Sequence, residues 1–255
     1  VIQVPLHEAT GFGVMSIDED NRVKRFAEKP VNPEHVPGNP VAAMASMGIY
    51  VFDREFLIET LKKDADNPDS SHDFGHDVIP AHIDSHRVFA YPFHDVKTRA
   101  QSYWRDVGTL DAYYQASMDT ISVDPIFSFY NSQWPIYTNR PPLPPAKFVF
   151  DEEDRRGGAF ESVVGAGVVV SGGTARRSVL SSEVRIHSYA NVEDSILMNG
   201  VDVGRGAVVR RAIIDKNVVV PEGAQIGVDL AADRERYTVT DSGLVVIGKG
   251  DPIAM

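Results

Sequence analysis

The 255-residue sequence contains no cysteine. Disulfides, thiolate metal sites and a cysteine nucleophile are thereby excluded. It also lacks a basic surplus. Twenty-five Lys and Arg stand against 36 Asp and Glu, a formal net charge of −11. Nucleic acid and anionic membranes need a basic face, so neither partner is expected. No apolar run is long enough for a transmembrane helix. The start, Val1-Ile2-Gln3-Val4-Pro5, has neither a basic flank nor a long apolar stretch. No signal peptide is expected, and a cytoplasmic location fits.

What is present is ordinary for a soluble globular chain: 43% hydrophobic and 24% charged residues. The length suits one large or two modest domains. Residues 1–115 read as mixed α/β. Strands are expected at 1–5, 13–17, 22–28, 44–52 and 88–92, the fourth buried on both faces because its apolar run is nearly unbroken. Asp53 is a plausible N-cap for a helix over 54–63, with Phe56, Leu57 and Leu61 on its apolar stripe. Further helices are expected over 77–85 and 109–122.

Residues 123–162 hold Pro125, Pro135, Pro141, Pro142, Pro144 and Pro145, which rules out long regular elements and marks a linker. Beyond it a different period sets in. Leu180, Ile186, Val192 and Met198 fall six apart, as do Val208, Ile214, Val220 and Ile226, with one slip between the runs. Six fits neither a helix nor a hairpin array; it is the hexapeptide period of a parallel β-helix. The aliphatic fills the coil, and the glycine in Val164-Gly165, Val203-Gly204 and Ile226-Gly227 is expected to help turn the corner. The domain division read from this is 1–122, a linker at 123–162, and 163–255.

Four motifs stand in order in the first half: Phe12-Gly13-Val14-Met15, Phe26-Ala27-Glu28-Lys29-Pro30, the run from Ala45 through Ser46, Gly48 and Tyr50 to Phe52, and Tyr103-Trp104-Arg105-Asp106-Val107-Gly108-Thr109. With the segment 70–77 (Ser-Ser-His-Asp-Phe-Gly-His-Asp), the linker stretches 131–138 and 143–149, and the hexapeptide region, this order resembles the bacterial ADP-glucose pyrophosphorylase (glucose-1-phosphate adenylyltransferase) family. The likeness covers almost the whole chain. It implies an α/β fold, a partial nucleotide-binding (Rossmann-like) pyrophosphorylase domain followed by a left-handed parallel β-helix. The family's Gly-Gly-x-Gly-x-Arg loop, which wraps the triphosphate, is not found here. The chain therefore resembles the second half of the catalytic domain plus the whole C-terminal domain.

The resemblance implies a reaction, ATP plus glucose-1-phosphate giving ADP-glucose and pyrophosphate, in glycogen synthesis. It places Lys29 on the sugar phosphate and Glu28 on glucose hydroxyls. Asp106 becomes a Mg²⁺ ligand, as a hard cation wants carboxylate oxygen. Ser46 stands near the sugar phosphate, with the substrate-binding Tyr50 on the same strand face; Asp73, Phe74 and Trp104 shape the glucose pocket, and Gly13 lets backbone approach the sugar. Lys216 and Lys249 are candidate contacts for a phosphorylated allosteric effector, and a homotetramer is implied. His72 and His76 stand four apart beside Asp73 and Asp77. Gly75 weakens the helix that spacing would need, so a structural role is expected rather than a metal site. Other readings are a pyrophosphorylase for another nucleotide-sugar, a non-catalytic regulatory or assembly subunit, and a hexapeptide acyltransferase, for which His187 is the sole β-helix histidine and has no supporting motif.

Overall fold

The computed structural model describes residues 1–95, 98–139 and 141–253. It divides into two compact units, residues 1–104 and the chain from Arg105 onward.

The first unit is built on four antiparallel strands, β1 (Ile2–Pro5), β2 (Gly13–Ile17), β3 (Val23–Glu28) and β4 (Ala42–Ala45), in the order β1-β4-β2-β3. Side chains alternate across the sheet, so neighbouring Val14 and Met15 feed opposite cores. Val14 joins Ile2, Val4, Ala43 and Ala45, while Met15 joins Val23, Phe26, Ile79 and Ile83.

The expected 44–52 strand ends early. All four β4 residues are buried, but Gly48 has φ 68 and the chain turns away, leaving Ile49 70% and Val51 97% exposed. Helix α1 (Arg54–Ala65) is capped as expected, with the Asp53 carboxylate accepting from the Glu55 and Phe56 amides, both at 3.0 Å. Its stripe is shifted, however. Thr60 is buried while Leu61 is exposed.

The helix expected over 77–85 is replaced by a π-turn, Phe74–Val78, and a short 3₁₀ turn, Pro80–His82. Pro80 has no amide to donate, which stops regular α-helix there. The strand expected at 88–92 reduces to one bridge between Arg22 and Phe89.

In the second unit, helix α2 (Leu110–Asp119) starts on the Thr109 hydroxyl, which accepts from the Ala112 amide at 3.1 Å. Tyr114, at its middle, packs with Ile196, Ile213 and Leu244. From Lys147 onward the unit is built on a parallel β-helix with three faces. Lys147–Val149, Val169–Ser171, Arg185–Ile186, Asp202–Val203 and Val219–Val220 stack as one. Gly158–Phe160, Thr174–Arg176, Asn191–Glu193, Val208–Arg210 and Gln225–Ile226 form the second. Val163–Val164, Val179–Leu180, Ile196–Leu197, Ala212–Ile214 and Val245–Ile247 form the third. The stacking begins at Lys147, inside the proline-rich stretch.

The interior shows why the hexapeptide pattern slips. Among its fully buried aliphatics, one series runs Leu180, Ile186, Val192, Leu197, Val203, Val209, Ile214, Val220 and Ile226. Two steps of six alternate with one of five. Leu197 and Val209, not Met198 and Val208, point inward, and the latter two are half-buried. Each fully buried aliphatic contributes roughly 1.5–3 kcal/mol.

The short step falls at one corner, where Glu161, Arg177, Asp194 and Arg211 all have positive φ (48, 44, 47 and 43). A serine ladder completes it. The hydroxyls of Ser162, Ser178 and Ser195 donate to Phe160, Arg176 and Glu193 carbonyls (2.7, 2.8 and 2.6 Å). They accept from the amides of Ser178, Ser195 and Ala212 on the next coil (3.1, 3.2 and 3.1 Å).

The glycines expected to turn corners act otherwise at two of three positions. A Cβ on Gly165 or Gly204 would meet backbone of the next coil at 2.8 and 2.6 Å, so these serve close stacking. Gly227 alone has positive φ, 73.

Candidate functional site

Seven of the residues singled out in the first half come together at one end of the β2–β3 pair. Gly13 and Glu28 are partners across it. The Lys29 amide donates to the Phe12 carbonyl at 3.0 Å, and Lys29 takes φ 46, so the strand ends in a sharp turn at the lysine. The Lys29 side chain is exposed and in no ion pair among the described residues. Lys24, on the same strand as Glu28, is held by Asp18 at 2.8 Å. Glu28 is therefore an exposed carboxylate beside an exposed ammonium on the next residue, with no ion pair closing either.

The chain leaving β4 supplies hydroxyls. The Ser46 amide donates to the Gly13 carbonyl at 2.7 Å, which fixes Ser46 against the motif at the start of β2. Its Oγ lies 2.9 Å from the Tyr50 hydroxyl and accepts from the Gly48 amide at 3.2 Å. Tyr50 stacks on Phe74 with centroids 5.8 Å apart. Phe52 packs against both rings. Trp104 meets Phe12 edge-on at 5.9 Å and packs on the other core, with Ile2, Val4 and Val14. An open groove of about 800 Å³ passes Ser46, Tyr50, Phe52, Tyr103 and Trp104.

Asp73 caps the π-turn, its Oδ1 accepting from the Gly75 and His76 amides at 2.7 and 2.8 Å. That capping role was not expected, and it ties the Asp73 carboxylate to backbone. Asp77 in turn accepts from the amides of Ser71 and Asp73, both at 3.2 Å, and from the Ser71 hydroxyl. The Ser71 hydroxyl, then the His76 ring, hold the Asp77 carboxyl well below the usual carboxylate range. The hydrogen bond to the Asp77 carboxylate, with its charge and those of Asp73 and Glu28, raises the His76 imidazole above its ordinary value. His72 pairs instead with Asp64 at 2.8 Å. No group of three or more acidic or imidazole ligands poised for a metal occurs among the described residues. The two histidines thus serve separate carboxylates.

Gly75 is a residue that sequence reasoning noted only as a helix weakener. A Cβ built there would lie 2.8 Å from Glu28 Oε2. Gly13 behaves likewise, at 2.7 Å from the same oxygen and 2.6 Å from the Phe26 ring. The space at Gly13 is taken by the protein's own side chains.

Asp106 lies in the second unit. Its Oδ1 accepts from the Gly108 amide at 3.1 Å, and the carboxylate is otherwise exposed. Arg105 is committed to Asp119 at 3.0 Å and Thr109 caps α2, so neither competes for Asp106. In the β-helix, Asp215 accepts from the amides of Lys216 (2.7 Å) and Lys249 (3.2 Å), drawing two lysines far apart in sequence to one place. Most other basic groups of the unit are engaged. Arg177 pairs with Asp194, Arg210 with Glu193, Arg205 stacks over Tyr189 and Arg176 over Phe160. His187 pairs with Asp202 at 2.8 Å.

Two family models match the chain: "Nucleotidyl transferase" over residues 1–123 and "GlmU-like, C-terminal hexapeptide" over 144–247. A glucose-1-phosphate adenylyltransferase of Rhodopirellula baltica is 54% identical over 257 residues, covering 99% of this chain and 58% of that protein. Proteins of the same name from Methylobacillus flagellatus and Paramagnetospirillum magneticum are 50% and 49% identical, each covering 96% of this chain and 58% of their own length. The chain spans a little under three fifths of the curated relatives it matches.

Proposed function

We propose that this chain, which by likeness along nearly its whole length belongs with the glucose-1-phosphate adenylyltransferases, is the sugar-phosphate-binding and regulatory part of such an enzyme. The reaction is ATP plus glucose-1-phosphate giving ADP-glucose and pyrophosphate. A phosphate oxygen of the sugar phosphate attacks the α-phosphorus of ATP, and pyrophosphate leaves with the bonding electrons. Both reactants are anions, so the protein's tasks are to neutralise charge and to align.

The observation that carries this reading is the clustering of Lys29, Glu28, Ser46 and Tyr50 through Gly13. Lys29 has no counter-ion among the described residues and can meet a phosphate as a point charge. The Glu28 carboxylate can accept from glucose hydroxyls, and the Ser46–Tyr50 pair can donate to or accept from them. Phe74 and Trp104 serve as apolar walls, and Asp73 holds the turn that carries Phe74.

Asp106 is the residue that would hold Mg²⁺. One carboxylate with an oxygen unused by the described residues suits an ion that takes one or two carboxylates along with phosphate and water. Bound there, the ion would offset triphosphate charge.

In this reading residues 1–122 belong to the catalytic domain, 123–162 link, and 163–255 regulate and assemble a cytoplasmic homotetramer. Lys216 and Lys249, gathered by Asp215, are the proposed contacts for a phosphorylated effector.

The test is pyrophosphate release with ATP, glucose-1-phosphate and Mg²⁺. It is run on the chain alone and on the chain joined to the portion of the Rhodopirellula relative that it does not span. Release that needs both substrates, and falls when UTP replaces ATP or mannose-1-phosphate replaces the glucose ester, supports the reading. No release from the joined form contradicts it.

A further inference from the structure

We propose that Gly75 is a positioning residue for Glu28. With Gly13 it forms a slot of bare backbone that fixes where the Glu28 carboxylate meets the sugar, an inference that rests on the reading above.

A Cβ on Gly75 would come to 2.8 Å from Glu28 Oε2 and 3.3 Å from both Asp73 Oδ1 and the Phe26 ring. A Cβ on Gly13, on another element, would come to 2.7 Å from the same Glu28 oxygen. By contrast, Gly11, Gly38 and Gly48 have nothing within 4 Å of such an atom. Neither Gly13 nor Gly75 has positive φ, so backbone conformation does not demand glycine at either. At Gly75 the demand comes first from the Glu28 carboxylate, and at Gly13 from that carboxylate together with the Phe26 ring, 2.6 Å from such an atom.

The walls of the slot are anchored. On one side Gly13 is paired with Glu28 across the β2–β3 ladder and its carbonyl accepts from Ser46. On the other, the Gly75 amide is held by Asp73, and the Ile79 amide donates to the Phe74 carbonyl at 2.9 Å, closing the π-turn. Asp77 adds bonds to Ser71 and Asp73. An added methyl would therefore move the flexible partner, the end of the Glu28 side chain, rather than the turn.

The Glu28 carboxylate is confined by shape and not by a cation, since it makes no hydrogen bond or ion pair with the described residues around it. Its lone pairs stay available to a ligand while its position is set. A salt bridge would fix the group only by occupying the oxygens it must offer. A glycine slot gives orientation without that competition.

The experiment is a double-mutant cycle of Gly75→Ala and Glu28→Ala with two readouts. The first is the thermal midpoint of the chain itself. Gly75→Ala is expected to lower it in the Glu28 background and to leave it nearly unchanged in the Glu28→Ala background. The second is the KM for glucose-1-phosphate of the joined form. Gly75→Ala is expected to raise it at least about tenfold, with the KM for ATP unmoved and no further rise once Glu28 is Ala. Equal cost of the methyl in both backgrounds, or no effect on midpoint and KM, overturns the proposal. Coupling in the midpoint together with no dependence on glucose-1-phosphate at all would instead defeat the substrate reading and leave the slot standing as a packing feature only.

Discussion

The hydroxyl of Tyr114 donates to the main-chain carbonyl of Asp194 at 2.7 Å, fastening the middle of α2 to the short corner of the β-helix. The ring is only 7% exposed and packs on Ile196, Ile213 and Leu244, with the Arg211 guanidinium 5.4 Å from its centroid. Tyr114→Phe removes one bond and leaves the ring, and should cost about 1 kcal/mol. Tyr114→Ala also opens a cavity and should cost about 3–5 kcal/mol. Urea unfolding followed on the β-helix transition checks both.

Ser195 sits at the same corner with no exposure. Ser195→Ala leaves the Ala212 amide facing a methyl group where no water reaches. The expected loss is about 1–3 kcal/mol, the cost of an unpaired buried donor. Ser162→Ala, at the exposed start of the ladder, should cost less. Equal losses at the two positions would count against a ladder that depends on burial.

Much of this architecture is legible in the sequence. The six-residue spacing announces the β-helix, and Asp53 and Thr109 stand where caps are needed. The third, five-residue step is harder to see, because the residues that make it are Arg177, Asp194 and Arg211, not glycines. Arginine at positive φ gives no local turn signal, and a lone Asp194 is a weak one. The 44–52 run misleads for the opposite reason, since apolar residues alone do not reveal that Gly48 turns the chain out of the sheet. At the candidate site, Glu28, Lys29, Ser46 and Tyr50 are visible through family likeness. The part played by Gly75 is not, as it depends on Phe74–Val78 folding back onto β3.

His76 offers a pH readout. Its bond to Asp77 raises the folded-state value above the ordinary 6.5. A raised imidazole stabilises the fold fully below the unfolded value and loses that contribution as pH rises through the folded value. Stability of the 70–79 segment should thus decline from about pH 6.5 upward. In an NMR titration His76 should titrate above the usual imidazole range, and Asp77→Asn should bring it down. Asp77 has the opposite sign. Its depressed carboxyl contributes above the ordinary value of 3.8, and that contribution is lost only in strong acid.

Lys29→Gln keeps a polar group, one atom shorter, and removes the charge. Loss of a charged hydrogen bond to phosphate costs about 1.5–3 kcal/mol, so the KM for glucose-1-phosphate should rise by about ten- to a hundredfold. The KM for ATP should change little. Lys29→Arg should restore activity poorly, because a planar fork does not replace a compact ammonium at a turn with φ 46.

The most direct test follows the α-phosphorus. The joined form is incubated with Mg²⁺, glucose-1-phosphate and ATP labelled at the α-phosphate. Label appearing in ADP-glucose, in step with pyrophosphate and suppressed by Lys29→Gln, is the predicted result. Label remaining in ATP, or released as AMP whether or not the sugar phosphate is present, would contradict adenylyl transfer to glucose-1-phosphate.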